Sequence, residues 1–245
     1  MKQLWILFIF LSFSLSSQDF SSVDSKVRKY PKFTSSREVA NRINTDFKTD
    51  LSKVRATFIW LTHNIRYDLK EYYNPTKRSI RIEYKNEAEK QFKLRQVKDE
   101  IVEKTFTTRK SVCEGYAQSF KKICDILKIE AIVIKGHARN SISEVGVLPT
   151  HPNHAWNAVK LNDKWHLIDA TWAAGYAVNG KWEKKFSAHY FFTDPLKLSR
   201  SHYPNLLKWQ LVSKPISLKE YANQVLIGQG FINSNYELIS PKKGI

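Results

Sequence analysis

Cysteine is scarce in this chain: only Cys113 and Cys124 occur in 245 residues. An even count invites a disulfide in an exported protein, but the spacing argues against one. On a single helix, the 1.5 Å rise per residue would hold these two about 16 Å apart, whereas bridged Cα atoms stand within about 7 Å. Cys113 is therefore expected as a free thiol and Cys124 as a core residue. Acidic residues are also in deficit, 23 Asp and Glu against 40 Lys and Arg, for a formal charge of +17. Such an excess favours anionic partners such as nucleic acid, cell-wall polymers or lipid headgroups. The basic residues are dispersed, however, with no run of five, which points to a solvated basic surface and no specific nucleic-acid site. Long apolar runs are missing too. Leu4 to Leu11 falls far short of the roughly 20 residues a membrane span requires. No internal repeat and no low-complexity segment is present.

What is there begins with residues 1–17, where one Lys, a short apolar run and then small residues follow in order. That pattern is a secretory signal peptide and implies a secreted or periplasmic protein. No Cys lies near the cleavage site, which argues against a lipid anchor of the bacterial type. About 228 residues remain, enough for one domain with a full core. The content of 42% hydrophobic and 13% aromatic residues is that of a packed globular chain.

Taken in order, residues 18–34 are polar and charged and read as a linker or edge segment. Ser35 and Glu38 form a capping box, and Val39, Ile43 and Phe47 follow at four-residue spacing, so a short helix is expected there. A second helix opens at Thr49 or Asp50, with Val54, Phe58, Leu61 and Ile65 on one face and Trp60 beside them. His63 within it reads as a surface or core-edge histidine. After the Asn74-Pro75 break, residues 76–110 carry eleven Lys or Arg against six Asp or Glu. They read as a charged insertion, an exposed helix or partly mobile segment, with a lid as the alternative. A helix then starts at or near Cys113, burying Tyr116, Phe120, Ile123, Cys124 and Leu127 at three- and four-residue spacing. Ala131 to Ile134 is a short apolar strand ending at Gly136. Ala155–Leu161 and Lys164–Ile168 alternate around Asn162-Asp163 and form a hairpin. His189–Thr193 is expected as another core strand, and 216–245 as a tail packed on the domain. One helix followed by antiparallel strands implies an α+β layer, with the helix end facing the sheet.

Three short stretches carry chemistry: Ser-Val-Cys-Glu-Gly-Tyr-Ala (111–117), Asn-His-Ala-Trp-Asn-Ala-Val (153–159) and Trp-His-Leu-Ile-Asp-Ala-Thr-Trp (165–172). A thiol is a useful nucleophile only as thiolate, which a helix N-terminus and a neighbouring imidazolium both favour. Cys113 sits where its helix should start, and its own N–H is placed to form part of an oxyanion hole. A hairpin turning at Asn162-Asp163 sets Asp169 about opposite Trp156, with His154 two residues further along and on the same face. Diagonal neighbours of this kind lie roughly 7–8 Å apart, within reach of a His–carboxylate hydrogen bond. Cys113, His154 and Asp169 thus form a nucleophile, a base and an orienting group. Trp156 and Trp172 are candidates for substrate contact. A zinc site drawn from His151, His154, His166 and Cys113 lacks a paired-Cys motif, so no metal and no cofactor is expected.

The three stretches resemble the motifs of the transglutaminase-like superfamily, in its bacterial and kyphoscoliosis-peptidase-like branch. Trp60 to Asp68 resembles the helix preceding the family's core, and His202-Tyr-Pro-Asn-Leu-Leu-Lys-Trp-Gln-Leu211 the segment following it. The likeness spans about residues 35–215, and the 76–110 insertion has no counterpart in it. The resemblance implies a papain-like α+β fold and an acyl-thioenzyme mechanism, with Cys113, His154 and Asp169 on the triad positions. Acyl groups pass to water in a peptidase or amidase, or to an amine in cross-linking, at protein or peptide amides. The calcium loop of the animal cross-linking enzymes is not evident. The alternative implied by inactive family members is a binding or scaffold module with a basic surface for the cell wall or other anionic partners.

Overall fold

The computed structural model describes residues 19–75, 82–227, 236, 238–240 and 244; the stretch read as a signal peptide lies outside the described residues. Three helices come first: α1 (Ser21–Arg28), α2 (Ser36–Asp46) and α3 (Asp50–Asn64). Ser35 closes the expected capping box with Glu38 at the start of α2, and Thr49 caps α3 through the Ser52 N–H. Residues 19–34 correct the linker reading, because α1 buries Val23 and Val27 and packs on α3. Two apolar positions in eight residues are a weak local signal. What holds α1 is long-range: Arg55, 4% exposed, donates through Nε and Nη2 to Asp24 at 2.8 and 2.7 Å, while Phe20, Phe58 and Phe191 surround the guanidinium. Deleting one partner leaves a buried charge uncompensated. Asp24→Ala should therefore cost about 3 kcal/mol, read as a lower midpoint in chemical unfolding; an unchanged midpoint would contradict a structural role for α1.

The chain continues through β1 (Arg66–Tyr67), α4 (Leu69–Tyr73), α5 (Glu87–Thr108) and β2 (Lys110–Ser111), with β1 and β2 paired in parallel. Residues 76–81 lie outside the described ones. The rest of the charged stretch is not a loose insertion. Asn86 caps α5, and its last turns bury Val102, Thr105 and Phe106, the Phe106 ring stacked on Trp60 at 5.1 Å. Only the N-terminal half of α5 is exposed as expected, and α5 packs on the side of the next helix, α6 (Cys113–Ile126).

Helix α6 lies at the centre of the fold, touching α2, α3 and α5 on one side and the main sheet on the other. That sheet is built from β3 (Ala131–Ala138), β4 (His154–Leu161) and β5 (Lys164–Ile168), then two later strands. After β5 come α7 (Ala170–Ala174), the hairpin β6 (Gly175–Val178) and β7 (Lys181–Lys184), β8 (Phe191–Thr193), α8 (Pro195–Leu198), β9 (His202–Pro204) and α9 (Leu218–Asn223). The strand order is β8-β5-β4-β3-β9, antiparallel at every pairing. The fold is thus the expected α+β arrangement of a helix layer on an antiparallel sheet. The expected strand at 189–193 is shorter than read: Ala188–Tyr190 is a 3₁₀ turn, and β8 starts at Phe191. Strand β9 pairs with β3 as an edge strand of the main sheet. Beyond it, α9 buries Tyr221 and Ala222, and the Arg139 guanidinium donates to the carbonyls of Arg200, Ala222 and Gln224.

Candidate active site

Cys113 is the first residue of α6, where N–H groups have no intrahelical partner and the helix dipole favours negative charge. The glycine of its motif has a packing reason. A Cβ on Gly115 would run into Ser111 Oγ and Thr105 Oγ1, so only glycine lets the start of α6 approach β2 and α5 this closely. Cys113 is half-buried and Cys124 fully buried, and both are free thiols. Burial pushes the Cys124 thiol well up, which leaves it protonated and inert.

The hairpin register is Leu161↔Lys164 through Asn157↔Ile168, as a turn at Asn162-Asp163 requires. Both turn residues take positive φ, 48° and 60°, the conformation of a two-residue hairpin turn. Asp169 follows β5 directly and caps α7, its Oδ1 accepting from the Thr171 and Trp172 N–H groups at 2.8 and 3.0 Å. Its Oδ2 accepts from His154 Nε2 at 2.7 Å. A carboxylate only accepts, so the neutral imidazole carries its proton on Nε2 and leaves Nδ1 bare. The helix and sheet layers are tied at this point by Asn157, 1% exposed, whose Nδ2 donates to Ala117 O of α6 and Ile132 O of β3, both at 3.0 Å.

Burial alone would drive the His154 imidazolium to lose its proton. The Asp169 charge and hydrogen bond override this and, helped by the Cys113 side chain, raise His154 to about 10. Burial likewise opposes the charge of Asp169, but His154 and then His202 hold its carboxyl well below the usual range. The raised imidazole contributes stability in full below its ordinary value of about 6.5 and loses it as pH rises toward about 10. The depressed carboxylate contributes above about 4 and loses its share in acid.

The expected substrate contacts divide. Trp172 is half-buried and lines a cleft of about 810 Å³ beside His154. Trp156 is 2% exposed and corrects the reading: it lies under the imidazole, rings 5.9 Å apart and 19° from parallel, and makes a wall of the core. Cross-strand alternation could not tell a residue facing the cleft from one facing the core behind it. The zinc set drawn from sequence is not assembled either, since His151 is exposed beside Thr150 and His166 stacks on Phe192. Instead His154, Asp169 and His202 bring three possible ligand atoms within 4.8 Å of one another, with both imidazole Nε2 atoms already engaged on the carboxylate.

Two residues at the site escaped the sequence reading. His202 arrives on β9 and shares Asp169 Oδ2 at 3.1 Å; a lone histidine 33 residues after the aspartate has no local signal. Tyr67, from β1, lines the cleft and stacks on Trp182. Burial pushes its phenol well up, and the nearby Cys113 adds to this, so it stays a neutral O–H.

The family model of the transglutaminase-like superfamily matches residues 37–170. Human kyphoscoliosis peptidase is 28% identical over 225 residues, covering 91% of this chain and 31% of that protein. Hillarin of Drosophila melanogaster is 31% identical over 124 residues, covering 45% of this chain and 15% of its own length. Among solved structures, a TGase crystal structure aligns over 75% of this chain and 40% of that one at 17% identity, with a TM-score of 0.39. This chain thus spans about a third of the kyphoscoliosis peptidase it matches.

Proposed function

We propose, from the premise that this chain belongs to the transglutaminase-like superfamily, that it is an exported thiol enzyme cleaving or transferring acyl groups at protein or peptide amides. Cys113 is the nucleophile, His154 the general base and acid, and Asp169 the orienting group. The observation that carries this reading is the imidazole of His154, held at Nε2 by Asp169 at 2.7 Å at the start of the strand β4 on which α6, opened by Cys113, is packed.

In this mechanism the imidazole takes the thiol proton, and the thiolate attacks the amide carbonyl carbon to form a C–S bond. The oxygen becomes an oxyanion, supported by the Cys113 N–H at the start of α6. His154 then returns the proton to the leaving nitrogen as the C–N bond breaks, leaving an acyl-thioenzyme. Water or an amine attacks that thioester while His154 accepts its proton, and the C–S bond breaks to restore the thiol. The cleft beside His154 has aromatic walls from Tyr67, Trp172, Tyr176 and Trp182, surfaces that suit a peptide with apolar side chains. The peptidase name of the human relative supports hydrolysis as the primary reaction. The apolar stretch near the N-terminus supports export.

The test is the rate of Cys113 alkylation by iodoacetamide against pH, with and without His154→Ala. The expected result is a rate already high near pH 6 in the unaltered protein, and a profile rising only near pH 8.5 in the variant. An unaltered protein that itself reacts only near pH 8.5 would sink the catalytic reading and leave the basic binding module in its place.

A further inference from the structure

We propose that His202 is a positioning residue of this site: delivered by the last strand of the sheet, it holds the second oxygen of Asp169 toward His154 as an uncharged donor. The proposal rests on the catalytic reading above and adds a residue outside the matched stretch of 37–170. Asp169 is 1% exposed, and its carboxylate takes four hydrogen bonds. Oδ1 is anchored by the Thr171 and Trp172 N–H groups; Oδ2 accepts from His154 at 2.7 Å and His202 at 3.1 Å. Anchoring at Oδ1 makes that oxygen a pivot and leaves rotation about the carboxylate free to swing Oδ2. His202 closes that freedom.

The tautomer follows from the partners. Because the carboxylate only accepts, His202 carries its proton on Nε2. In the neutral ring Nδ1 is then bare and accepts from the Ser201 hydroxyl at 2.8 Å, the alternative acceptor of that proton, the Leu198 carbonyl, being more distant at 3.3 Å. Hydrogen bonds thus run in one direction, from Ser201 to His202 to Asp169. The titratable groups facing the ring are Asp169 at the cap of α7, His154 on β4 and His189 on the preceding turn, whose charge interacts with it. Burial lowers the His202 pKa against the Asp169 hydrogen bond and charge, and the His154 charge adds a smaller push in the same direction as burial. A neutral His202 leaves the negative charge of Asp169 to the His154 imidazolium; a second cation would divide it.

The ring itself is fixed. Trp172 and Trp156 pack edge-to-face against it at centroid distances of 4.5 and 5.1 Å. The backbone around it is set by the pairing of His202 with Ala138 and by Tyr221, whose hydroxyl donates to Ser201 O at 2.9 Å. The site is therefore complete only when β9 and α9 are docked.

The test compares the unaltered full chain with His202→Phe, which keeps a ring and removes the donor, and His202→Gln, whose amide restores an N–H near Nε2. Two readouts are taken: the pH profile of Cys113 alkylation by iodoacetamide, and imidazole NMR of histidine-labelled protein at pH 7. The expected result in His202→Phe is a fall of about tenfold in alkylation rate at pH 6, because a less firmly held Asp169 orients His154 less well. His202→Gln should stay within about threefold of the unaltered chain, and NMR should find His202 neutral with its proton on Nε2. A His202→Phe profile that overlays the unaltered one, equal losses in both variants, or a charged or Nδ1-protonated His202 would each overturn the proposal. Failure of the catalytic reading is distinguishable, because it shows in the unaltered chain's own profile while the NMR still decides the state of His202.

Discussion

Cys113→Ala should abolish acyl transfer while leaving the fold in place. With p-nitrophenyl acetate as a generic acyl donor, the burst of p-nitrophenolate from acyl-enzyme formation should vanish, and turnover should drop by about 10⁴-fold or more, as when a catalytic nucleophile is removed elsewhere. No other residue can substitute. The second thiol, Cys124, is fully buried and held protonated by that burial, so alkylation should also disappear and no adduct should be found by mass spectrometry. The structural cost should be small, within about 0.5 kcal/mol, because position 113 opens a helix and alanine is the best helix former. A variant that kept its burst would remove Cys113 from the mechanism, and one that failed to fold would show by circular dichroism before any rate was taken.

The second large effect is expected from Asp169→Asn, where nearly the same shape carries the wrong chemistry. The asparagine oxygen can still cap α7 by accepting from the Thr171 and Trp172 N–H groups. Its amide nitrogen then faces His154 Nε2 and His202 Nε2, donor against donor. Relief requires each ring to move its proton to Nδ1, and for His154 that turns a proton toward Cys113 where a bare nitrogen is needed. The acylation rate should fall by about 10³–10⁴-fold, far more than for His202→Phe, which leaves the carboxylate itself in place. Stability should fall by about 2–3 kcal/mol at pH 7, because charge-assisted hydrogen bonds on a buried group are lost. Since the carboxyl sits below its ordinary value in the folded state, its contribution exists above about pH 4 and is lost in acid. The stability gap between the two proteins should therefore narrow as pH drops below about 4. A gap that widened in acid, or a rate within tenfold of the unaltered protein, would contradict the assigned role.

Much of the site was legible in the linear order. The capping box at Ser35 and Glu38 depends on four consecutive residues, and α2 begins there. The turn at Asn162-Asp163 depends on two residues able to take positive φ; strand alternation then carries His154 and Asp169 to one face without further information. Cys113 at the start of α6 follows from apolar spacing that begins at that residue. Where the reading failed, the deciding contact was distant. Helix α1 is held by an Asp24–Arg55 pair 31 residues apart, and the inner half of α5 by Trp60 stacking on Phe106. Neither leaves a trace in a window of a dozen residues. Trp156 failed for another reason: alternation assigns a side of the sheet, and whether that side is open beside the cleft or closed behind it depends on what packs there.

From its sequence alone this protein has a thiol at a helix start, an imidazole and a carboxylate on one hairpin, and the α+β class that brings them near one another, because each rests on local turn chemistry and hydrophobic period. The tertiary structure alone decides that Asp169 is shared. His202 comes from an edge strand whose place beside β3 is set by backbone pairing and by the docking of Tyr221 and Arg139. Strand order in a sheet is a matter of non-local hydrogen bonds, and these are formed by the folded chain as a whole.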